Sequence, residues 1–193
     1  MPASLSTLME EGRRAVLRPL AQASTLPPGF YPSPEIFEAA RERVFRRNWV
    51  SVGRASEIPQ PGDRFRIDVA GEPLMIVRGK DARIRALSAV CRHRWMLLGE
   101  GAESAGTIAC PYHKWTYALD GALMAAPLMD KAEGFERDAC ALPSFACEVW
   151  NGFIFVNLGG DAEPLAQALA PLAAEFAPWK MDELEIAGRV EFD

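Results

Sequence analysis

Between residues 49 and 90, short runs rich in β-branched, aromatic and other apolar residues alternate with clusters of turn-forming residues. The runs cover residues 49–53, 64–69, 73–78 and 84–90. The clusters between them include Pro61-Gly62-Asp63, Ala70-Gly71 and Gly79-Lys80-Asp81. Runs of this length, bounded by turn residues, are typical of strands that pair in an antiparallel sheet. The pattern predicts a small antiparallel β-sandwich or barrel.

The rest of the chain predicts further strands and three flanking helical segments. Residues 107–110, 116–118 and 146–158 are strand-like, and residues 184–192 predict a last strand. Residues 4–22 favour a polar helix or an arm, and residues 163–176 a Leu- and Ala-rich helix. Ser33-Pro34-Glu35 supplies a cap residue, a proline for the first helical position and an early acid, so we expect a helix over about 34–48.

A boundary follows the first helical segment, because Pro27-Pro28-Gly29 interrupts any helix there. We therefore divide the chain into an N-terminal arm or helix (1–26), a main domain (27–160), and a linker helix and strand (161–193). A chain of 193 residues is long enough for one well-buried core. The fold class predicted is mainly β, with flanking N-terminal and C-terminal helices.

Composition narrows the possible partners. Hydrophobic residues make up 49% of the chain and charged residues 24%, which is typical of a folded globular protein. The formal net charge of −5, without a dense Lys/Arg stretch, argues against nucleic acid as a partner. No apolar run is long enough to span a bilayer, and the N-terminus lacks the apolar centre of a secretory signal. We expect a cytoplasmic protein with no membrane partner.

The candidate chemistry lies in two short motifs. Cys91-Arg92-His93 and Cys110-Pro111-Tyr112-His113 are separated by sixteen residues, and each motif directly follows a strand-like run. Two thiolates and two neutral imidazoles are the ligands of a Rieske-type [2Fe-2S] cluster, in which the two histidines bind one iron. One Cys and one His from each loop would allow two facing loops to clamp such a cluster.

A structural zinc ion is the rival interpretation, because two cysteines and two histidines also suit tetrahedral Zn²⁺. Common zinc motifs place two or more residues between the ligands of one loop, whereas one residue separates Cys91 from His93. Spacing alone therefore favours the iron–sulfur cluster over zinc without excluding zinc.

The residues around these ligands resemble the Rieske motifs of the ring-hydroxylating, or Rieske non-haem iron, oxygenases. The resemblance extends over about residues 26–192. The segments that carry it are Cys91-Arg92-His93-Arg94, Cys110-Pro111-Tyr112-His113-Lys114-Trp115, Asp120-Gly121, Leu26-Pro27-Pro28-Gly29-Phe30-Tyr31, Gly71-Glu72-Pro73 and Trp150-Asn151-Gly152-Phe153-Ile154-Phe155-Val156-Asn157-Leu158.

This resemblance implies a Rieske-type β-sandwich within the large, or α, subunit of an oxygenase, which in the family is usually a homotrimer. A reductase or ferredoxin would supply electrons, and the domain would pass them to a mononuclear iron in a catalytic domain or subunit. Cys91 and Cys110 would bind the inner iron, and His93 and His113 the outer iron. Arg94, Trp95, Tyr112 and Trp115 are candidate residues around the cluster.

The sequence departs from the family in several places. Glycine is frequent in the family where this chain has Trp95 and Lys114. Respiratory Rieske proteins carry an extra cysteine in each cluster loop and a serine after the second histidine. This chain has Met96, Tyr112 and Trp115 at those positions. Without that disulfide and that hydroxyl we expect a potential near the lower end of the Rieske range, about −150 mV.

The mononuclear iron of the family needs two further histidines and a carboxylate. This sequence has two histidines in all, and both are assigned to the cluster. We therefore expect a fragment, a split subunit or an isolated electron-transfer module, with the mononuclear Fe(II) outside this chain. A stand-alone Rieske ferredoxin is the second hypothesis, although the flanking helices argue against it, and a zinc module is the third.

Other candidate residues have simpler interpretations. Cys140 and Cys147 are expected to be free thiols in the core. Arg92 and Arg94 suit either the steering of an acidic ferredoxin or ordinary solvated loop charges. Trp95 and Trp115 suit either shielding of the cluster from water or packing of the barrel.

Overall fold

The computed structural model describes residues 4–99, 103–129, 131–188 and 190. The chain forms two compact units, Met1–Arg46 and Arg47–Asp193, each with its own internal contacts. Among the described residues, no helix has the length and apolar character needed to cross a membrane.

The first unit is helical. Helix α1 covers Leu5–Val16, and its N-terminus is capped by the Ser4 hydroxyl, which accepts from a backbone N–H. Two short 3₁₀ turns follow, at Leu20–Gln22 and Pro28–Phe30. Helix α2 covers Pro34–Ala40. These segments agree with the helix or arm predicted for residues 4–22 and with the start of the helix predicted over about 34–48.

The end of the second predicted helix differs from the prediction. Residues Arg41–Phe45 form a π-helical turn that continues α2, and helical structure stops there. Its start follows the cap in the sequence, because the Ser33 hydroxyl accepts from the Ile36 N–H over 3.2 Å. π-Helical turns are rare and depend on packing rather than on local propensity. The sequence pattern therefore did not indicate this one.

The described residues of the second unit form ten strands in two antiparallel sheets, which confirms the mainly β prediction. The large sheet has the order β1-β10-β9-β4-β3-β2-β5, and the small sheet the order β6-β7-β8. The strands are β1 Val50–Arg54, β2 Asp63–Val69, β3 Glu72–Arg78, β4 Ile84–Ser88, β5 Glu103–Ser104, β6 Ile108–Ala109, β7 Thr116–Tyr117, β8 Leu123–Ala125, β9 Ser144–Trp150 and β10 Phe153–Asn157.

One predicted strand is two strands in the structure. Residues 146–158 form the hairpin of β9 and β10, whose register pairs Phe153 with Trp150. The turn residues Asn151 and Gly152 have φ values of 48° and 79°. An Asn-Gly pair with both φ values positive is the preferred two-residue hairpin turn. The apolar character of the flanking residues hid this turn signal in the sequence.

Strand β3 separates two hydrophobic cores because its side chains alternate between the two faces of the sheet. Met75 and Val77 pack in the first core, which also contains the cysteines of both metal motifs. Leu74 and Ile76 pack in the second core, with β1 and β10 residues. The four side chains are at most 1% exposed. The candidate metal motifs therefore lie at the margin of the first core, close to the small sheet.

The C-terminal segment departs from the prediction in two ways. Two short helices, α3 Leu165–Ala168 and α4 Ala170–Phe176, replace the single helix predicted over 163–176. Pro171 lacks the N–H that would continue the helical hydrogen bonds, so the helix breaks just before it. Residues 184–188 and 190 form no strand, and residues 189, 191 and 192 of the predicted strand lie outside the described residues.

Arg54 at the end of β1 holds part of this C-terminal segment. Its side chain is 8% exposed. Its Nη2 donates to the carbonyl oxygens of Met181 and, over 2.8 Å, of Leu184. The guanidinium also lies 4.4 Å from the centre of the Phe153 ring. A Cβ atom at position 152 would approach Arg54 Nη2 to 2.7 Å, so this position of the β9–β10 turn requires glycine.

Replacing Arg54 with Met should release this contact while keeping an aliphatic stem. Two charge-assisted hydrogen bonds are lost, so the free energy of unfolding should fall by about 2 kcal/mol in urea denaturation. Trypsin should also cleave faster after Lys180. The control is Arg14→Met, which removes an exposed ion pair with Glu10 and should cost under about 0.5 kcal/mol. Equal effects of the two variants would contradict the role given to Arg54.

Candidate metal centre

The two cysteine motifs form loops with the same backbone pattern. In each loop the cysteine N–H donates to the carbonyl five residues later, over 2.9 Å for Cys91 and 2.8 Å for Cys110. In each loop the cysteine carbonyl accepts, over 3.0 Å, from the N–H four residues later, which belongs to Trp95 or Lys114. The residues on either side of each loop also pair as in an antiparallel sheet, Val90 with Leu97 and Ala109 with Thr116. We call residues 91–96 the first loop and residues 110–115 the second loop.

This tight loop requires a left-handed backbone at its fourth position after the cysteine. Trp95 has φ 52° and Lys114 has φ 61°. A side chain in this conformation costs roughly 1–2 kcal/mol, because Cβ approaches the carbonyl oxygen, and glycine avoids the cost. The conformation accounts for the glycine that the resembling family often has at both positions. Trp95 and Lys114 both adopt this conformation although each carries a side chain.

The two loops bring the two cysteines close to each other and the two histidines close to each other. The Cys91 and Cys110 side chains are 1% and 2% exposed. Burial raises the pKa of the Cys110 thiol, and the adjacent Cys91 thiol adds to this, while backbone N–H donors from Tyr112 and His113 oppose it. The His93 and His113 rings lie 4.8 Å apart, centre to centre, edge to face. The arrangement is a pair of thiols beside a pair of imidazoles.

A paired arrangement suits two linked metal ions better than one. In the described part of the chain, no three His, Cys, Asp or Glu side chains converge on a point that would hold a single ion. A [2Fe-2S] cluster of the Rieske type needs two thiolates on one iron and two imidazoles on the other. The donor set in the two loops divides in the same way.

The histidines show two features that fit metal binding. His113 Nδ1 is buried and has no hydrogen-bond partner, which costs free energy unless another group, such as a metal, occupies its lone pair. Burial lowers the pKa of His93, and the neighbouring His113 and Arg94 lower it further. Both effects on His93 favour its neutral imidazole, the form that binds metal. The residues present therefore fit the cluster.

Aromatic rings cover both histidines. The Trp115 indole, 3% exposed, stacks on His93 with centres 4.7 Å apart and planes 6° apart. Tyr112 stacks on His113 with ring centres 3.7 Å apart, and its side chain is 58% exposed. Trp95 is 79% exposed. Of the two tryptophans considered in the sequence, Trp115 covers a candidate ligand and Trp95 projects to the surface.

Tyr117 is a functional candidate that sequence reasoning missed. It is fully buried, and its hydroxyl lies 3.3 Å from Cys91 Sγ. The hydroxyl oxygen accepts from the Arg92 N–H over 3.0 Å, so its hydrogen is free to donate to the sulfur. Burial raises the pKa of Tyr117 well above its usual value, which keeps the hydroxyl protonated. The signal available in the sequence was an aromatic side chain in the strand-like run that follows the second motif.

The sequence-based expectation of no hydroxyl near the sulfurs was therefore incomplete. Trp115 does replace the serine of respiratory proteins, but Tyr117 supplies a hydroxyl from a different position. Cys140 and Cys147 are free thiols, as expected, and pack against different cores. Burial raises the pKa of Cys147 to about 12, so this thiol is unreactive at neutral pH.

Comparison with known proteins agrees with this geometry. Residues 48–146 match the family model of the Rieske [2Fe-2S] domain. The chain is 35% identical over 170 residues to the carnitine monooxygenase oxygenase subunit of Acinetobacter baumannii, covering 86% of this chain and 46% of that protein. It is also 35% identical over 164 residues to the glycine betaine monooxygenase oxygenase subunit of Chromohalobacter salexigens, covering 84% and 37%.

Solved structures show the same fold. The apo form of a quaternary ammonium Rieske monooxygenase superposes with a TM-score of 0.81 at 35% identity, over 86% of this chain and 49% of that one. Naphthalene 1,2-dioxygenase with bound indole gives a TM-score of 0.71 at 29% identity, over 76% and 34%. The chain spans less than half the length of these relatives, and it matches their N-terminal portion.

Replacing Lys114 with Gly should relieve the left-handed strain of the second loop. Glycine loses more conformational entropy on folding than lysine does, but the relief of strain at this position is larger. The free energy of unfolding should therefore rise by about 0.5–1 kcal/mol. The control is Lys80→Gly, in a turn where the lysine φ is not positive. That variant should be neutral or destabilised in the same urea titration. A loss of stability in Lys114→Gly as large as in Lys80→Gly would contradict the strain argument.

Proposed function

The chain belongs to the Rieske [2Fe-2S] domain family, and we propose that Cys91 and Cys110 hold one iron of the cluster while His93 and His113 hold the other. The observation that carries this proposal is the presence of two buried thiols and two imidazoles, the latter edge to face and 4.8 Å apart, on two loops with the same hydrogen-bond pattern. When bound, the cluster supplies reversible one-electron chemistry. The ligand roles are those that the sequence motifs predicted.

The chain's own residues would set the properties of this site. The backbone N–H groups of Tyr112 and His113 donate to the Cys110 sulfur. The Tyr117 hydroxyl lies 3.3 Å from the Cys91 sulfur and would donate to it when that sulfur is a thiolate. Donors to sulfur stabilise the more negative, reduced state and raise the potential. Trp115 would exclude water from one face of His93 and hold its ring in place.

We propose that the domain accepts single electrons from a reductase or ferredoxin and passes them to a mononuclear iron outside this chain. The similarity to oxygenase subunits supports this assignment over a stand-alone Rieske ferredoxin. The two histidines of the sequence are both assigned to the cluster, so the mononuclear iron needs ligands from elsewhere. A homotrimeric parent, the boundaries of the 27–160 Rieske domain and a cytoplasmic location stay predictions.

We further propose that the electrons serve the oxidation of a quaternary ammonium compound. The names of the relatives reported above support this: two act on carnitine and glycine betaine, and the structure with the higher TM-score is that of a quaternary ammonium monooxygenase. The proposal rests on similarity to those proteins, of which this chain matches less than half the length.

The function is tested by cofactor analysis of anaerobically purified protein. We expect about two iron and two sulfide ions per chain, and after dithionite an EPR signal whose average g value lies below that of the free electron. Cys110→Ser should lose this signal. Cys140→Ser is the matched control, since Cys140 packs against the same core but has no ligand role, and it should keep the signal. A colourless protein that contains one zinc ion would overturn the proposal.

Replacing Tyr117 with Phe should lower the potential of the cluster. In the wild type the Tyr117 hydrogen bond stabilises the reduced cluster, and the variant loses this stabilisation. A loss of about 1 kcal/mol corresponds to roughly 40 mV for one electron, so we expect the potential to fall by about 30–60 mV. Redox titration followed by EPR measures it. The control is Tyr112→Phe, which keeps an aromatic ring on His113 and removes a hydroxyl from an exposed side chain. The potential should shift much less in this variant. Equal shifts would exclude the role given to Tyr117.

A further inference from the structure

The first loop exposes an unusual group of side chains beside His93. Trp95, Met96 and Leu97 follow one another and are 79%, 40% and 45% exposed. Arg92 and Arg94 precede them in the chain and are exposed as well. We call these five residues the first-loop surface. Three consecutive large apolar side chains in water are disfavoured unless they serve an interaction.

The charge of this surface is opposite to that of the whole chain. Residues 91–99 contain two arginines and no carboxylate, whereas the chain has a formal net charge of −5. Neither Arg92 nor Arg94 forms an ion pair with a carboxylate in the part of the chain that the structure describes. A local positive rim on an acidic protein attracts a partner with an acidic surface and steers its approach.

The backbone gives an independent reason to assign a role to Trp95. The residue is held at φ 52°, where glycine would be relaxed and a bulky side chain is strained. Its ring gains little from packing, since it is 79% exposed. Strain that is kept without a packing benefit is common at binding sites. Tryptophan and arginine are also the residues that most often dominate the binding energy of protein interfaces.

We propose that the first-loop surface is the docking site of an acidic one-electron donor protein. Trp95, Met96 and Leu97 form its apolar centre, and the two arginines form its charged rim. This inference rests on the proposed function, since the donor loses one electron and the cluster held by the loop gains it, with no bond made or broken. Donor and acceptor would meet across His93, the ligand between the two arginines.

The size and composition of the surface favour a transient partner over a permanent one. Permanent interfaces are large and depleted of charge at their centres, whereas electron-transfer encounters are small and salt-sensitive. A donor must leave after each electron, and a small surface with a charged rim permits this. A catalytic domain held in a stable assembly has no such requirement.

The test is stopped-flow reduction of the cluster-loaded protein by a reduced plant-type [2Fe-2S] ferredoxin, chosen because it is acidic and more reducing than a Rieske centre. We expect the second-order rate constant to fall with ionic strength. Trp95→Gly, which keeps the loop backbone because glycine suits its φ, and Arg94→Gln should each reduce the rate about tenfold at low salt. Lys80→Gln, at the far end of β4 from the first loop, is the matched charge control and should react as the wild type does.

Dithionite separates failure of the docking site from failure of the cluster. A small reductant does not need the surface, so dithionite should reduce every variant completely and give a Rieske EPR signal in each. Wild-type rates with ferredoxin in Trp95→Gly and Arg94→Gln, or a rate without salt dependence, would overturn the docking proposal alone. An absent cluster signal in the wild type would overturn both. Sedimentation of a wild-type dimer that Trp95→Gly converts to a monomer would instead identify a second copy as the occupant.

Discussion

The hydrogen bonds that close the two cysteine loops are the constraint on which the rest of the site depends. In each loop the cysteine N–H and carbonyl are both used within the loop, which fixes the direction of the thiol and of the histidine that follows. The loops also start from paired strand residues at the edge of a well-packed core. A flexible loop would lose conformational entropy on binding two irons, whereas these loops hold the donors in pairs beforehand.

The two halves of the site lie in different surroundings. The thiols are buried in the first core and receive hydrogen bonds from backbone N–H groups and from Tyr117. The imidazoles lie nearer the surface, each stacked on one aromatic ring. The two histidines would therefore hold their iron close to solvent and to partners, and the two cysteines would hold theirs within the core. The charge and exposed apolar side chains of the first loop extend this asymmetry to the protein surface.

Sequence reasoning found the parts of the structure that have local signals. The strand runs, the helix cap at Ser33 and the spacing of the four ligand candidates all depend on residues that are near one another in the chain. It missed the Asn151-Gly152 turn because strongly apolar strands lie on both sides. It also missed Tyr117, whose contact with Cys91 joins positions 26 residues apart and appears only when the small sheet folds. Such non-local contacts have no periodic signature in a single sequence.

The pairing of ligands is the central claim, and Mössbauer spectroscopy of protein loaded with enriched iron tests it most directly. In the reduced state we predict two inequivalent iron sites in equal amounts, a ferric site with sulfur ligands only and a ferrous site with nitrogen ligands. His113→Cys should make the two sites more alike, if a cluster still assembles. Two equivalent irons in the wild type, or a single mononuclear site, would contradict the arrangement of two thiolates on one iron and two imidazoles on the other.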